Sequence, residues 1–159
     1  MSGVRKYVVA RAQDVPEGGR LIVHVAGREI GVFNQGNEFF ALLHRCPHLG
    51  GPLCQGDIVG LVYAPVPGEV HLDESRKLLR CPWHGWEFDI KTGQSYWNPQ
   101  HTRARRFAVE VVSGDELADQ LVKETKADPE ARLPGPYIAE TFPVELEDDY
   151  LVVALREVQ

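Results

Sequence analysis

The sequence predicts an all-β fold made of short antiparallel strands, and three observations support this. The 159-residue chain contains 15 glycines and 11 prolines, which favour frequent turns over long helices. Its apolar residues fall in short runs rich in Val, Ile, Phe and Leu. Turn-forming residues separate those runs, as in strands joined by hairpins. The length argues for a single domain over residues 1–159.

Four strands are predicted at the start of the chain. The turn sequences Pro16–Gly19, Ala26–Arg28 and Gln35–Asn37 separate them, and this spacing is typical of an antiparallel meander. These first predicted strands are Lys6–Ala10, Arg20–Val25, Glu29–Asn34 and Phe39–Leu43.

The strand pattern resumes later, with hairpin turns predicted at Lys91–Gly93 and Glu147–Asp149. The later predicted strands are Lys77–Arg80, Trp86–Ile90, Arg106–Val112, Glu140–Leu146 and Tyr150–Arg156.

One short helix is predicted, in an insertion at about residues 113–139. Ser113 followed three residues later by Glu116 is a capping-box signature. Leu117 and Leu121 then recur on one helical face. Three prolines farther along end the helix and return the chain to strand.

Charge and apolar content exclude several classes of partner. The net charge is −6, and it is unevenly spread: residues 113–159 carry −8, with 12 acidic and 4 basic side chains, whereas residues 1–112 carry +2. No basic stripe offsets that acidity, so we expect no nucleic-acid partner. The acidic segment is either a solvated surface or a docking patch for a basic protein. Apolar runs fall far short of the ~20 residues that span a bilayer, and three cysteines without a secretion signal indicate the cytoplasm.

Two short loops carry the residues suited to metal chemistry. Cys46-Pro47-His48 and Cys81-Pro82-Trp83-His84 each follow a strand-like run and continue into glycine, at Gly50-Gly51 and Gly85. Glycine lets the backbone approach a bound ion closely. Two such turns, from two hairpins, can converge on one metal centre.

The type of centre is narrowed by the spacing of the ligands. Two thiolates and two imidazoles suit tetrahedral zinc as well as iron. Zinc fingers usually pair Cys with Cys and His with His, whereas each loop here offers one of each. Two irons can share such loops if each loop gives its Cys to one iron and its His to the other. The spacing favours iron–sulfur, and a zinc-stabilised interaction domain is the alternative.

The sequence resembles the Rieske iron–sulfur family over roughly residues 5–112 and again at about 140–156. The resemblance is carried by Cys46-Pro-His-Leu-Gly-Gly-Pro-Leu, Cys81-Pro-Trp-His-Gly-Trp-Glu-Phe-Asp and Lys91-Thr-Gly. It implies an antiparallel β-sandwich with the cluster loops at one tip, and one [2Fe-2S] cluster of Rieske type. The ligands that it implies are Cys46 and Cys81 on the buried iron and His48 and His84 on the outer iron.

Departures from the family pattern point to its low-potential members. Rieske proteins of cytochrome bc complexes carry two further cysteines, joined as a disulfide, where this chain has Gly51 and Trp83. High-potential members have Ser and Tyr hydroxyls near the cluster, where this chain has Trp86 and Phe88. The chain therefore resembles a low-potential Rieske-type ferredoxin or the Rieske domain of a ring-hydroxylating oxygenase.

Two further segments depart from or extend the resemblance. The 32 residues between His48 and Cys81 are about twice the spacing usual for the family, and residues 60–75 form the expected inserted excursion. Trp97-Asn98-Pro99 is similar to the proline-containing loop that covers the cluster.

For the remaining candidate residues, we expect mainly structural roles. Cys54 is expected to be a buried structural thiol, and His44 a surface or strand-end residue. Trp83 and Trp86 either shield the cluster, which we expect, or form a docking surface. No nucleophile elbow, phosphate loop or dinucleotide-binding motif is present.

The resemblance implies a one-electron carrier of ferredoxin type in an oxygenase-like oxidoreductase system. Its implied partners are a flavin reductase and a terminal oxygenase, with no small-molecule substrate. A catalytic oxygenase needs a mononuclear iron site with two histidines, and the chain has no histidine after residue 112. We therefore predict no catalytic site. The alternative function is a non-catalytic Rieske subunit of a larger oxygenase or reductase complex.

Overall fold

The computed structural model describes residues 3–119 and 148–156. The strands are β1 Val4–Arg11, β2 Arg20–Val25, β3 Arg28–Gln35, β4 Glu38–Leu43, β5 Asp57–Tyr63, β6 His71–Arg80, β7 Glu87–Asp89, β8 Arg106–Ser113 and β9 Asp149–Arg156. They pair antiparallel in two sheets, ordered β1-β9-β8-β4-β3-β2 and β5-β6-β7. The all-β prediction is confirmed.

The β3–β4 hairpin shows why the predicted turns form. Its turn holds Gly36 and Asn37 at φ of 65° and 60°, a left-handed conformation that these two residue types tolerate. The Glu17 carboxylate accepts the backbone N–H groups of both residues, at 2.9 and 2.7 Å. The predicted four-strand meander is present only for β2, β3 and β4. It is wrong for β1, which pairs with β9 instead of β2; the ladder with β9 joins residues far apart in the chain and is not visible in local turn spacing.

The core consists of two clusters of buried side chains, and β3 contributes to both. Ile30 and Val32 lie in one cluster with residues of β9, whereas Phe33 lies in the other. Successive side chains of a strand point to opposite faces of the sheet, so this division is expected. Phe33 shares its cluster with Cys46 and Cys81. The candidate loops are thus rooted in the hydrophobic core.

Residues 60–75 form the outer end of the β5–β6 hairpin and the turn that closes it. Tyr63 pairs with His71 in the ladder, and their rings stack with centroids 5.3 Å apart. The sequence predicts only Lys77–Arg80 as strand in this region. The stretch from His71 to Arg76 alternates too little between polar and apolar residues to indicate a strand. Its first three residues pair with Leu61–Tyr63 of β5, and residues 74–76 lie at a shift in the register.

The predicted helix begins where its capping residue lies. Residues 114–119 are helical, and the Ser113 hydroxyl accepts the Glu116 backbone N–H at 3.4 Å. The rest of the predicted helix and the strand predicted at Glu140–Leu146 lie outside the described residues. In the part of the chain that the structure describes, no helix is both long and apolar enough to cross a bilayer.

Candidate functional site

Loop 1, residues 46–51, begins three residues after β4 and folds back on itself. The Cys46 N–H donates to the Gly51 carbonyl at 2.9 Å, and the Gly50 N–H donates to the Cys46 carbonyl at 2.8 Å. Gly50 has a φ of +81°, a conformation that a side chain would strain. The glycine following the Cys-Pro-His sequence therefore closes the turn.

Loop 2, residues 81–86, repeats this backbone pattern between β6 and β7. The Cys81 N–H donates to the Trp86 carbonyl at 2.8 Å, and the Gly85 N–H donates to the Cys81 carbonyl at 2.9 Å. Gly85 also has a positive φ, +73°. Two separate hairpins thus present a cysteine at the start of the same type of turn.

The two loop cysteines are buried together. Each is 2% exposed. Burial raises the pKa of the Cys46 thiol to about 11; the His48 backbone N–H opposes this shift and the neighbouring Cys81 adds to it. A thiol in this setting becomes a thiolate when a cation offsets the cost of burying its charge. The pair is therefore suited to metal ligation.

The two loop histidines lie side by side but differ in exposure. Their ring centroids are 4.9 Å apart in an edge-to-face arrangement. His48 stacks on the Trp86 indole, with centroids 4.0 Å apart and planes 10° apart. Its Nδ1 atom is buried and has no hydrogen-bond partner among the described residues. His84 is exposed.

The donor set fits a [2Fe-2S] cluster of Rieske type. A buried imidazole nitrogen without a partner is costly unless it binds something, and His48 Nδ1 is such an atom. Two thiols and two imidazoles are the protein ligands of a Rieske centre, two for each iron. No three His, Cys, Asp or Glu side chains in the described ranges surround a single ion position.

The two tryptophans of loop 2 differ in exposure: Trp86 stacks on His48, whereas Trp83 is 58% exposed. One edge of the Trp83 ring nevertheless lies over loop 1. A Cβ placed on Gly51 would be 3.0 Å from the Trp83 Cγ atom. The two positions at which the resemblance places the missing disulfide are therefore in contact. An indole over a glycine occupies that place here.

A third segment flanks loop 2. The backbone N–H of Trp97 donates to the Ser95 hydroxyl at 3.1 Å. The centroid of the Trp97 ring lies 6.3 Å from that of Trp86. A groove of about 280 Å³ runs between loop 2 and this segment. It is lined by His84, Gly85, Trp86, Glu87, Tyr96 and Trp97. The segment predicted to cover the cluster thus lies beside the loops, with Trp97 64% exposed.

Cys54 is fully buried in the same core cluster as the two loop cysteines, and its environment matches a structural role. Burial raises the pKa of its thiol to about 12, and its sulfur packs against Gly31. Its backbone N–H donates to His44 Nδ1 at 3.1 Å. The Arg20 guanidinium donates to the Cys54 and Gly56 carbonyls. Neither contact is visible in the sequence, because neither His44 nor Arg20 has a motif partner.

Comparison with known families matches residues 5–112 to the family described as Rieske [2Fe-2S] domain. The chain belongs to this family. Members bind one [2Fe-2S] cluster, in agreement with the donor set of the two loops.

The region that matches this chain makes up a very different share of each relative. Human apoptosis-inducing factor 3 is 30% identical over 124 residues, which are 74% of this chain but 18% of that protein. The 3-phenylpropionate/cinnamic acid dioxygenase ferredoxin subunit of Escherichia coli K12 is 29% identical over 106 residues, 67% of this chain and 85% of that subunit. This Rieske chain thus spans less than a fifth of the first relative.

A solved structure of low sequence identity has a similar fold. The putative NADH-dependent nitrite reductase small subunit from Mycobacterium tuberculosis superposes with a TM-score of 0.54. The alignment covers 99% of each chain at 12% identity. At that identity, the likeness is one of fold.

Proposed function

We propose that this chain is a one-electron carrier of ferredoxin type, with Cys46, Cys81, His48 and His84 as cluster ligands. A bound [2Fe-2S] cluster supplies one reversible electron. The observation that carries the proposal is the site itself. Two buried thiols and an unpartnered His48 Nδ1 meet where two loops of equal backbone geometry converge.

The surrounding protein supports the extra negative charge of the reduced state. The backbone N–H groups of His48 and Leu49 are directed at the Cys46 sulfur. N–H donors stabilise negative charge on sulfur, and more strongly in a partly buried site than in water. The loops thus provide fixed dipoles without a charged side chain.

The difference in exposure among the proposed ligands indicates where the electron leaves the protein. Cys46 and Cys81 are rooted in the core, whereas His84 lies at the surface. Trp83 and Trp97, each more than half exposed, flank His84. A partner that docks on this end would contact the ligand histidine directly, without intervening protein.

The proposed partners are a flavin reductase as donor and a terminal oxygenase as acceptor. The Escherichia coli relative, most of whose length this chain covers, is the ferredoxin subunit of a dioxygenase. None of the three cysteines forms a disulfide, which suits the reducing cytoplasm proposed as its location. Chemistry on the substrate would belong to the partner.

The decisive experiment is anaerobic purification, followed by iron, zinc and acid-labile sulfide analysis and a reductive titration. We expect two irons and two sulfides per chain, a red-brown visible spectrum, and uptake of one electron. Zinc without sulfide would overturn the proposal and favour the zinc-stabilised domain.

The exposed tryptophans also fit the alternative, a permanent subunit of a larger complex. A carrier exchanges electrons by collision, so reduced protein mixed with an oxidised acceptor should lose its electron at a rate proportional to acceptor concentration. A rate independent of that concentration would favour the subunit.

A further inference from the structure

A second groove lies on the loop 1 side of the site and is strongly basic. Its volume is about 320 Å³, and it runs alongside Cys46, Pro47, His48 and Leu49. Arg45, Arg103 and Arg105 line it, and among the described lining residues there is no carboxylate. All three arginines are exposed. We call these three residues the arginine patch.

Uncharged contacts hold the arginine patch in place. The Arg45 guanidinium lies over Gly50, where an added Cβ would be 3.3 Å from Nε. Arg103 donates to the Gln94 side-chain oxygen at 2.8 Å. Arg105 sits 5.3 Å from the centroid of the Phe107 ring.

No residue of the arginine patch forms an ion pair within the ranges that the structure describes. By contrast, the basic side chains of β1 that serve below as controls, Lys6 and Arg11, each pair with a carboxylate. Within those ranges, no carboxylate neutralises the positive charge of the patch.

The two sides of the site differ in chemistry. The groove beside His84 is aromatic, and its one carboxylate, Glu87, is paired with Arg80 at 2.8 Å. The groove beside His48 is basic. Apart from the three arginines of the patch, residues 1–112 carry 10 basic and 11 acidic side chains, so the patch does not reflect a generally basic domain. It concentrates positive charge on the loop 1 side of the site, next to His48.

We propose that the arginine patch docks an acidic protein surface, carried by the redox partner. The proposal rests on the proposed function and specifies the chemistry of the partner: carboxylates facing Arg45, Arg103 and Arg105, beside an apolar surface for the exposed tryptophans. Guanidinium groups bind carboxylates bidentately. Opposite charges also steer the approach of partners.

The distribution of charge along the chain favours one orientation of the partner. Residues 113–159 carry a net charge of −8 and repel a carboxylate-rich surface, whereas the arginine patch attracts it. Repulsion from wrong orientations is a common source of specificity. Attraction confined to one end would present the histidine ligands to the partner in most encounters.

The test uses two carboxylate probes with the full chain. The first is a gold electrode coated with a carboxylate-terminated monolayer, on which the electron-transfer rate of the holoprotein is measured. The second is retention on carboxymethyl resin, which needs no cluster. The patch variant is Arg45→Gln/Arg105→Gln.

The matched control is Lys6→Gln/Arg11→Gln, which removes the same charge from β1. Lys6 and Arg11 pair with Glu110 and Asp14 at exposed positions, where ion pairs contribute little stability. Arg11 lies level with Tyr150, the β9 residue that pairs with Val112 at the far end of β8 from Arg105.

At low salt, we expect wild type and control to exchange electrons with the carboxylate monolayer and to be retained on the resin. The patch variant should lose roughly tenfold or more in rate, within the range of electrostatic steering, and should elute at lower salt. Added salt should slow wild type toward the patch variant.

Equal losses in both variants, or faster exchange on an amine-terminated monolayer, would overturn the proposal. So would retention that appears only after the carboxylates of residues 120–147 are neutralised, because the chain itself would then occupy the patch. The visible spectrum is recorded separately. A protein without a cluster contradicts the proposed function, whereas a normal cluster with patch-independent exchange contradicts this inference alone.

Discussion

The two loops share one backbone geometry but place their histidines differently. In both, the cysteine N–H bonds to the carbonyl five residues on, and the N–H four residues on bonds back to the cysteine. The histidine stands two residues after Cys46 but three after Cys81. His48 therefore corresponds to Trp83 in backbone position, and Leu49 to His84. A shift of one residue on equal scaffolds makes the two histidines inequivalent.

The difference extends to how the loops cover each other. Both tryptophans belong to loop 2: Trp83 lies over Gly51, and Trp86 stacks on His48. Loop 1 contains no tryptophan, and its Leu49 is 63% exposed. Side chains of loop 2 thus cover loop 1, where His48 is held by stacking. The histidine of loop 2, His84, is exposed. The comparison predicts that His48 positions the cluster and His84 meets the electron acceptor.

The largest effect is expected from the cysteines, where the loops should behave alike. Cys46→Ser and Cys81→Ser should each abolish cluster assembly, because thiolate is the ligand and a serine hydroxyl is a poor substitute. Cys54→Ala is the control, since its sulfur packs against Gly31 instead. Iron and sulfide content measure the effect. Loss of iron in the Cys54 variant with retention in the Cys46 variant would contradict the ligand assignment.

Substitution of the two histidines should affect the two loops differently. His48→Ala and His84→Ala should both lose the cluster, but His84→Gly should recover much of the visible spectrum when imidazole is added during reconstitution. The exposed position of His84 leaves room for the small ligand. His48→Gly should not recover, because Trp86 covers that site and its Nδ1 is buried. Equal recovery in both variants would remove the distinction drawn between the loops.

Paired glycine substitutions offer a smaller and sharper contrast. An added Cβ at Gly51 would lie 3.0 Å from the Cys81 sulfur, whereas at Gly85 it meets nothing within 4 Å. Gly51→Ala should lower cluster yield and speed iron loss. Gly85→Ala should keep the cluster and lower the free energy of unfolding by about 1 kcal/mol, the cost of a side chain at positive φ. Urea unfolding and the rate of bleaching measure the two effects, and a stable cluster in Gly51→Ala would show that the contact is dispensable.

Sequence analysis could predict the features that depend on local chemistry. The turn glycines, the cysteine and histidine pairs and the Ser113 cap each need a particular residue type at a particular spacing, so they are visible in the sequence. The outer β5–β6 hairpin, the stack of Trp86 on His48 and the arginine patch depend on residues far apart in the chain. Arg45 and Arg105 become neighbours only because the Leu43 N–H bonds to the Arg105 carbonyl.

The smallest expected effect concerns the reduction potential, and it tests whether hydrogen bonding near Cys81 sets it. Phe88 is fully buried in the cluster of side chains that contains Cys81, and it has no hydroxyl. We expect the wild-type midpoint in the low part of the Rieske range of about −150 to +300 mV. In Phe88→Tyr, a hydroxyl donor to sulfur would stabilise the reduced state. About 1.5 kcal/mol from such a bond corresponds to roughly 60 mV for one electron.

Phe33→Tyr is the matched control, because Phe33 is equally buried in the same cluster of side chains but lies on β3. Both variants bury a hydroxyl, so both should lose stability by about 1–3 kcal/mol where it finds no partner. Only Phe88→Tyr should raise the midpoint, as measured by protein-film voltammetry at pH 7. A wild-type midpoint well above about +100 mV would show that the backbone N–H groups of the loops suffice for a high potential. An equal shift in both variants would mean that the general polarity of the core controls the potential. A specific hydrogen bond from residue 88 to a sulfur near Cys81 would then not be the cause.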